Sequence, residues 1–212
     1  MNDRFDTLHD VAGTVSRETY AALEAFEQDF RKWSARINLA APSTLDTLWS
    51  RHVLDSAQLA KLKPHPLRWL DLGSGGGFPG AILAILFRDR PGAHIDLVES
   101  NNKKAAFLRS VLGKCQAPAT VHICRIEDVP ESLTQPEIVT ARALAPLPKL
   151  LGLSRPWLTE NAVALFHKGR DYETEVRESH DEWSFDLVEH RSRIDPESRI
   201  LEISRLVSRR VK

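Results

Sequence analysis

The first third of the chain carries apolar residues at the spacing of helices. Between residues 18 and 37 they recur at steps of three and four, so one helix face would carry Tyr20, Leu23, Phe26, Phe30, Trp33 and Ile37. A proline at residue 42 interrupts this pattern. A second helical pattern then covers residues 44–62, and Pro64 and Pro66 end it. These patterns predict a helical N-terminal extension over residues 1–66.

From residue 67 onward, short apolar runs alternate with helical segments. The predicted strands cover residues 67–72, 94–98, 120–124, 137–140 and 162–166. The predicted helices cover residues 81–87, a segment after 101, residues 146–153 and a segment from 173. This alternation predicts an α/β domain over residues 67–212, with a Rossmann-like, doubly wound and mainly parallel sheet. Two last runs, at 185–189 and 199–207, predict an antiparallel pair that closes the sheet.

Composition limits the size of the fold and the kind of partner. The chain has 212 residues, of which 42% are hydrophobic, so it can bury one sizeable core but is short for two full domains. It carries 29 basic and 29 acidic residues. A net charge of zero excludes a general polyanion binder, although a local basic face is still compatible with it.

Cysteine usage and hydropathy indicate the compartment. Cys115 and Cys124 fit neither a C-x-x-C pair nor a zinc-ligand pattern, which favours a reducing cytosol. The N-terminus has no apolar signal segment, and the longest apolar run, residues 81–87, is far too short for a membrane span. We expect a cytoplasmic monomer with no membrane partner and no obligate protein partner.

A glycine-rich loop follows the first predicted strand, with the sequence Asp71-Leu72-Gly73-Ser74-Gly75-Gly76-Gly77-Phe78-Pro79-Gly80. Open parallel sheets bind ligands at this place, and glycine lets a ligand approach the backbone closely. Two patterns overlap here. Gly73-x-Gly75-x-Gly77 after an acidic strand end is typical of methyltransferases, whereas Gly75-x-Gly77-x-x-Gly80 is typical of dinucleotide-binding proteins.

The position of the loop favours the methyltransferase pattern, because the tight turn should begin directly after the strand. The dinucleotide pattern would begin two residues late, and Pro79 would remove a backbone N–H from the phosphate-binding turn. S-adenosylmethionine has no phosphate, so it tolerates that loss. We therefore predict S-adenosylmethionine as the cofactor, held by Asp71, Gly73, Ser74, Gly75 and Gly77.

Two acidic segments further along the chain fit the same cofactor. Glu99 ends the second strand 22 positions after Gly77, and a carboxylate there can accept hydrogen bonds from both ribose hydroxyls. NAD presents the same ribose, so Glu99 does not separate the two cofactors. The turn Arg125-Ile126-Glu127-Asp128 is expected to lie along the adenine ring, unless it is a solvated charged turn.

Other residues are candidates for the substrate side. Arg142 ends the fourth strand, where a guanidinium can hold a phosphate or the O6 edge of guanine. Lys168 ends the fifth strand and either contacts an RNA backbone or is a surface lysine. His52 and Asp55 share a helix face, and they either shape the substrate cleft or pin the extension to the core. No third ligand accompanies them, so we predict no metal.

Basic residues also cluster in three places, at Arg31-Lys32-Arg36, at Lys103-Lys104-Arg109-Lys114 and at Arg205-Arg209-Arg210-Lys212. Each cluster by itself is usually a solvated face. If the first two flank the mouth of the cofactor site, Lys32 and Lys103 are candidates for contacts to nucleic-acid phosphates, and binding would then weaken with added salt.

Taken together, these residues resemble the bacterial small-subunit rRNA methyltransferase G family, also called glucose-inhibited division protein B. The resemblance covers residues 30–168. It includes the glycine loop and the elements Lys32-Trp33, Arg51-His52, Asp55-Ser56, Phe107-Leu108-Arg109, Glu127-Asp128, Ala141-Arg142-Ala143 and Lys168-Gly169. The chain departs from the family pattern at Ala40, Glu99, Ala141 and His167, where the family usually has threonine, aspartate, serine, and leucine or phenylalanine respectively.

The resemblance implies transfer of a methyl group to N7 of a guanine in the 530 loop of 16S rRNA, within the small ribosomal subunit or one of its assembly intermediates. It also implies a pocket lined by Gly73, Phe78, Ile126, Glu127 and Arg142, with Arg142 as the catalytic residue. Guanine N7 carries an in-plane lone pair, so no base has to remove a proton, and catalysis can depend on orientation and electrostatics. The Asn/Asp-Pro-Pro-aromatic motif of amino-methylating enzymes is accordingly absent from the sequence after the fourth strand.

Two other functional classes share part of this pattern. A nicotinamide-dependent oxidoreductase would use the same glycines and Glu99, but it needs a substrate domain for which little chain remains. A non-catalytic regulator would bind S-adenosylmethionine and leave rRNA unmodified. The substrate-side residues argue against a regulator, though only through the resemblance.

Overall fold

The computed structural model describes residues 3–129, 133, 135–158 and 162–209. Its N-terminal part is helical, with α1 (Asp3–Ala12), α2 (Arg17–Ser34), a 3-10 turn (Pro42–Thr44), a π-helical segment (Trp49–Leu54) and α3 (Asp55–Leu62). Ser16 caps α2, since its hydroxyl accepts a hydrogen bond from the Thr19 backbone N–H at 3.1 Å. The helical stretch predicted over residues 44–62 agrees with the structure from residue 48 onward, where the π-helical segment continues directly into α3, whereas residues 45–47 form turns.

Strands and helices alternate through the rest of the chain. The strands are β1 (Arg68–Leu72), β2 (His94–Val98), β3 (Ala119–His122), β4 (Ile138–Arg142), β5 (Val163–Lys168), β6 (Trp183–Arg191) and β7 (Arg199–Ser208). The helices are α4 (Gly80–Leu86), α5 (Asn102–Lys114), α6 (Leu147–Ser154) and α7 (Tyr172–Ser179), with a 3-10 turn at Ile126–Asp128. Asn101 caps α5 by accepting the backbone N–H groups of Lys103 and Lys104.

The seven strands form one sheet in the order β3-β2-β1-β4-β5-β7-β6. Strands β1 to β5 pair in parallel, while β7 runs antiparallel to both β5 and β6. The predicted mainly parallel α/β sheet and its antiparallel closing pair are therefore confirmed. The strand order reverses between β1 and β4, and open sheets bind ligands beyond the carboxyl ends of the strands at such a point.

Apolar side chains fill both faces of the sheet. On one face, Phe26, Phe30 and Phe107 belong to a core that joins the N-terminal helices to α4 and α5. On the other face, Leu147, Leu151 and other apolar residues of α6 cover the sheet. The helices before β1 thus pack directly on the sheet; the domain boundary at residue 66 stays a prediction. None of the helices in the described ranges is long and apolar enough to cross a membrane.

Candidate functional site

A cavity of about 590 Å³ opens at the carboxyl ends of β1, β2 and β4. We call it the first cavity. Eight of the ten residues predicted to contact the cofactor line it, together with residues of the segment 39–44. Those eight are Gly73, Ser74, Gly75, Phe78, Glu99, Ile126, Glu127 and Arg142, the last of which is also the predicted catalytic residue.

The glycine loop forms one side of the first cavity. Gly73 and Gly75 have φ angles of +65° and +55°, which L side chains rarely adopt. A Cβ on Gly73 would lie 2.6 Å from Leu144, and one on Gly76 would lie 2.8 Å from the Phe30 ring. The N-terminal helix α2 and the β4–α6 connection therefore pack closely against the loop and fix its shape.

Asp71 lies behind the glycine loop and outside the cavity lining. Its Oδ1 accepts a hydrogen bond from the Thr140 hydroxyl at 2.8 Å, and its Oδ2 accepts the Gly80 backbone N–H at 3.2 Å. Burial raises the pKa of Asp71 to about 6, although these hydrogen bonds oppose the shift. Gly77, also predicted to contact the cofactor, lies behind the loop as well, against Ala81 and Leu108. The structure thus places both residues where they support the loop.

Glu99 joins the glycine loop to the start of α5. Its Oε2 accepts the Gly75 N–H at 2.8 Å, and its Oε1 accepts the Asn101 N–H at 2.7 Å. Glu99 is buried but lines the first cavity. Each carboxylate oxygen has two lone pairs, so both keep acceptor capacity toward a ligand.

Arg142 ends β4 and is held by one helical turn of the N-terminal extension. Its Nη1 donates to the Arg51 carbonyl at 3.1 Å and to Asp55 Oδ2 at 3.3 Å, and its Nη2 donates to His52 Nδ1 at 2.6 Å. The guanidinium carbon lies 5.1 Å from the centre of the Phe78 ring. Of its five N–H groups, Nε–H and one on Nη2 have no partner among the described residues.

His52 is a neutral acceptor in this arrangement. Burial, together with the charges of Arg142 and Arg51, lowers its pKa to about 4. Because Nδ1 accepts from Arg142, the proton belongs on Nε2, which is buried without a partner in the described part of the chain. The ring stacks on Phe78 with centroids 4.9 Å apart. His52 therefore orients Arg142 and does not carry charge itself.

Asp55 connects Arg142 to the C-terminal hairpin. Its Oδ1 accepts from Gln58 Nε2 at 2.8 Å and from the Ser192 hydroxyl at 3.2 Å, while its Oδ2 faces Arg142. Its backbone carbonyl accepts from His167 Nε2 at 3.0 Å. Burial lowers the pKa of His167, and the nearby Asp55 charge opposes that shift. The side chain of Asp55 is thus occupied by internal partners.

A second cavity, of about 770 Å³, adjoins the first. His52, Arg142, Ala143, Leu144 and Ala145 line both cavities. The rest of its lining comes from distant parts of the chain, including Arg51, Asp55, His167, Lys168, Glu175, Asp195 and Ser198. Ala143 has a φ of +53°, which is uncommon for a residue other than glycine.

Lys168 is buried and bound internally. Its Nζ donates to the Ala145 carbonyl at 2.8 Å and to Glu175 Oε2 at 2.6 Å, and the same oxygen accepts the Leu147 N–H. These contacts hold the β4–α6 connection in place. Lys168 is therefore not a surface lysine, and in this arrangement its ammonium group is already paired with a carboxylate.

The other two predicted substrate contacts, Lys32 and Lys103, are exposed and line neither cavity. The basic residues that do line the cavities are Arg51, Lys104, Arg125 and Lys149, which we call the basic rim, together with Arg142 and Lys168. Arg51 and Lys149 were not predicted as substrate contacts, because isolated basic residues carry no signal until the fold brings them together. Of the third basic cluster, Arg210 and Lys212 lie outside the described residues.

Within the described residues, no group of three or more His, Cys, Asp or Glu side chains is arranged to hold a metal ion. Cys124 lines the first cavity, and burial raises the pKa of its thiol, which disfavours the reactive thiolate.

Comparison with known proteins gives a consistent family match. A family model described as rRNA small subunit methyltransferase G (GidB) matches residues 19–198. A relative from Chelativorans sp. (strain BNC1), named ribosomal RNA small subunit methyltransferase G, is 58% identical over 97% of this chain and 98% of its own length. A relative of the same name from Brucella suis biovar 1 (strain 1330) is 58% identical over 96% of this chain and 95% of its own length.

Solved structures resemble the fold at low sequence identity. The O-methyltransferase TomG from Streptomyces achromogenes, solved in complex with SAM, has a TM-score of 0.57 at 16% identity, covering 96% of this chain and 99% of that chain. Cofactor-bound Rv0187 from MTB has a TM-score of 0.57 at 15% identity, covering 87% of this chain and 90% of that chain. At such identities the likeness concerns the fold alone.

Proposed function

The chain belongs to the rRNA small subunit methyltransferase G family, and from that premise we propose that it transfers the methyl group of S-adenosylmethionine to N7 of a guanine in the 530 loop of 16S rRNA. The observation that carries the proposal is the pair of adjoining cavities. One has the glycine loop and Glu99 expected of a cofactor site, and both share Arg142. A cofactor in the first cavity and a base in the second would meet at Arg142.

The residues of the first cavity fit S-adenosylmethionine better than a dinucleotide. A dinucleotide would place its pyrophosphate at the N-terminus of the helix after the loop. That position is already satisfied, because the Gly80 N–H at the start of α4 donates to the buried Asp71 carboxylate. A second anion there would be repelled by the ionised carboxylate. Glu99, by contrast, retains lone pairs for the ribose hydroxyls that S-adenosylmethionine presents.

The residues around Arg142 suit a transfer that needs no proton acceptor. When bound, the cofactor supplies an electrophilic methyl group on a sulfonium centre. Guanine N7 attacks that methyl with its own lone pair and loses no proton, so the chain has only to orient the base and exclude water. The two unpaired N–H groups of Arg142 are available for guanine O6 or for a phosphate. Neutral His52 holds the guanidinium and takes no proton from the substrate.

The basic rim supports an RNA substrate. Arg51, Arg125 and Lys149 are exposed and Lys104 is half-buried, and all four line the mouths of the two cavities. On a chain with no net charge, this local positive charge supports contacts to the phosphates of an RNA backbone. The target base must leave its stack to enter a pocket, as single-stranded and looped RNA permits. We further propose that the protein acts in the cytoplasm, as a monomer, on the small subunit or an assembly intermediate.

The test is mass spectrometry of 16S rRNA from cells with and without this gene. We expect N7-methylguanine in the 530-loop fragment to disappear on deletion and to return with a plasmid copy of the wild-type gene. A plasmid that encodes Arg142→Ala should not restore it, whereas Arg155→Ala, at an exposed position outside both cavities, should. An unchanged 530-loop modification in the deletion strain would contradict the proposal.

A further inference from the structure

Three carboxylates line the second cavity, and they differ in what they are bound to. Asp55 faces Arg142, and Glu175 is paired with Lys168 at 2.6 Å. Asp195, in the connection between β6 and β7, has no cationic partner among the described residues. Asp195 is therefore the carboxylate of this cavity whose charge is not already compensated.

Asp195 is held in position by neutral groups. Its Oδ1 accepts the Glu197 backbone N–H at 3.0 Å, and its Oδ2 accepts the Ser198 hydroxyl at 2.9 Å. The side chain is half-buried. Both oxygens keep further lone pairs, so the carboxylate can still accept two hydrogen bonds from a ligand.

The connection that carries Asp195 is anchored to the same residues that hold Arg142. The Ser192 hydroxyl donates to Asp55 Oδ1 at 3.2 Å and accepts the Asp195 backbone N–H at 3.2 Å. Gln58 accepts the Arg193 N–H at 3.0 Å and donates to Asp55. Asp195 and Arg142 both line the second cavity, and Asp55 links the segments that carry them.

Guanine presents complementary groups on its two edges. N7 and O6 are acceptors, whereas N1–H and the 2-amino group are adjacent donors on the Watson–Crick edge. A carboxylate can accept both donors at once, and such charge-assisted pairs are stronger than neutral ones. Adenine has an acceptor at N1 and no amino group at C2, so it would leave the carboxylate unpaired.

We propose that Asp195 accepts hydrogen bonds from N1–H and the 2-amino group of the target guanine, and so selects guanine in the second cavity. This inference rests on the proposed function, since it requires a guanine acceptor. It assigns the C-terminal hairpin a role in substrate specificity, with Arg142 acting on the opposite, N7 and O6, edge of the base.

The test compares small-subunit particles reconstituted with guanosine or inosine at the target position. Inosine lacks only the 2-amino group. We expect wild-type kcat/KM to be about tenfold lower on inosine, the cost of one charge-assisted hydrogen bond. For Asp195→Ala, the values of kcat/KM on the two particles should differ by less than about twofold, because the carboxylate that accepts from the 2-amino group has been removed. Any difference in N7 reactivity between the bases affects both enzymes and cancels in the comparison.

Glu197→Gln is the matched control, because Glu197 belongs to the same connection, is exposed and lines neither cavity. It should keep the wild-type preference. Calorimetry with S-adenosylhomocysteine and a thermal melt establish that Asp195→Ala is folded. If the alanine variant is unstable, Asp195→Asn replaces it, because the asparagine side chain still offers an acceptor to the Glu197 N–H. For Asp195→Asn we expect kcat/KM on the guanosine particle to exceed that on the inosine particle by less than about threefold.

Retention of the full tenfold preference in the Asp195 variant would overturn the inference, and so would a wild-type enzyme that methylates both particles equally. If the wild-type enzyme methylates neither particle at N7, the proposed function fails instead, so the two failures are distinguishable.

Discussion

The two adjoining cavities are built in different ways. The first is shaped mainly by backbone, since the glycine loop follows β1 directly and Glu99 accepts the backbone N–H groups of Gly75 in the loop and of Asn101 before α5. The second is shaped by side chains from distant segments, which meet in the contacts of Asp55 with Arg142 and Ser192. A local sequence motif can therefore specify the first cavity, whereas the second exists only once the whole sheet has formed.

Arg142→Ala should have the largest effect, and it should affect methyl transfer far more than cofactor binding. The variant removes the group that we place at the reacting base, so methyl transfer should fall by about two to three orders of magnitude. The dissociation constant for S-adenosylhomocysteine should stay within about threefold, because the glycine loop and Glu99 are untouched. Single-turnover methylation and calorimetry measure the two effects.

Arg155→Ala is the control for the loss of an arginine in general. It should change neither the rate of methyl transfer nor the dissociation constant for S-adenosylhomocysteine. If Arg142→Ala weakens cofactor binding as much as it slows transfer, Arg142 serves the first cavity, and the division of roles between the cavities is wrong.

Gly73→Ala should damage the first cavity. Its φ of +65° strains an alanine by about 1–2 kcal/mol, and the new Cβ would meet Leu144 at 2.6 Å. We expect the cofactor to bind about tenfold more weakly, as measured by calorimetry. Gly113→Ala is the matched control, because Gly113 lies in α5 with open space around it and should tolerate the methyl group. Equal affinities of the two variants would contradict the role of the loop.

A smaller effect concerns the second cavity, where the histidine rings should make the free energy of unfolding depend on pH. The pKa of His52 is lowered from 6.5 to about 4, so the unfolded chain takes up a proton first as the pH falls through this window. The contribution of His52 to the free energy of unfolding should therefore decrease between about pH 6.5 and pH 4, whereas Asp71, whose pKa is raised to about 6, contributes in the opposite sense. His52→Gln should flatten this dependence, as chemical denaturation at several pH values would reveal. His167→Leu should act in the same direction, since burial lowers the pKa of His167 too. An unchanged slope in both variants would contradict the neutral state of these rings.

The sequence predicts the sheet better than the site. The bounds of β2, His94–Val98, agree with the strand predicted at residues 94–98, and α5 begins at Asn102, as the helical segment predicted after residue 101 requires. Residues 44–62 show the limit of periodicity, because apolar spacing alone does not distinguish one helix from a π-helical segment followed by α3.

Within the site, residues that are close together in the sequence were easier to predict than residues that distant segments bring together. The glycine loop and Glu99 are close enough in sequence for spacing to be informative. Lys168 was predicted as an RNA contact or a surface residue, but its contacts with Ala145 and Glu175 depend on how the β4–α6 connection folds back. Asp195 belongs to no sequence motif, and only its place in the lining of the second cavity, together with Arg142, makes it a candidate.

The most direct test of the account is a crystal structure of the protein with S-adenosylhomocysteine bound. We predict one molecule in the first cavity, with the ribose hydroxyls at Glu99, the adenine near Ile126 and the sulfur directed toward Arg142 and the second cavity. A ligand seated in the second cavity, or one whose sulfur points away from Arg142, would contradict the central claim that the two cavities divide cofactor and base between them.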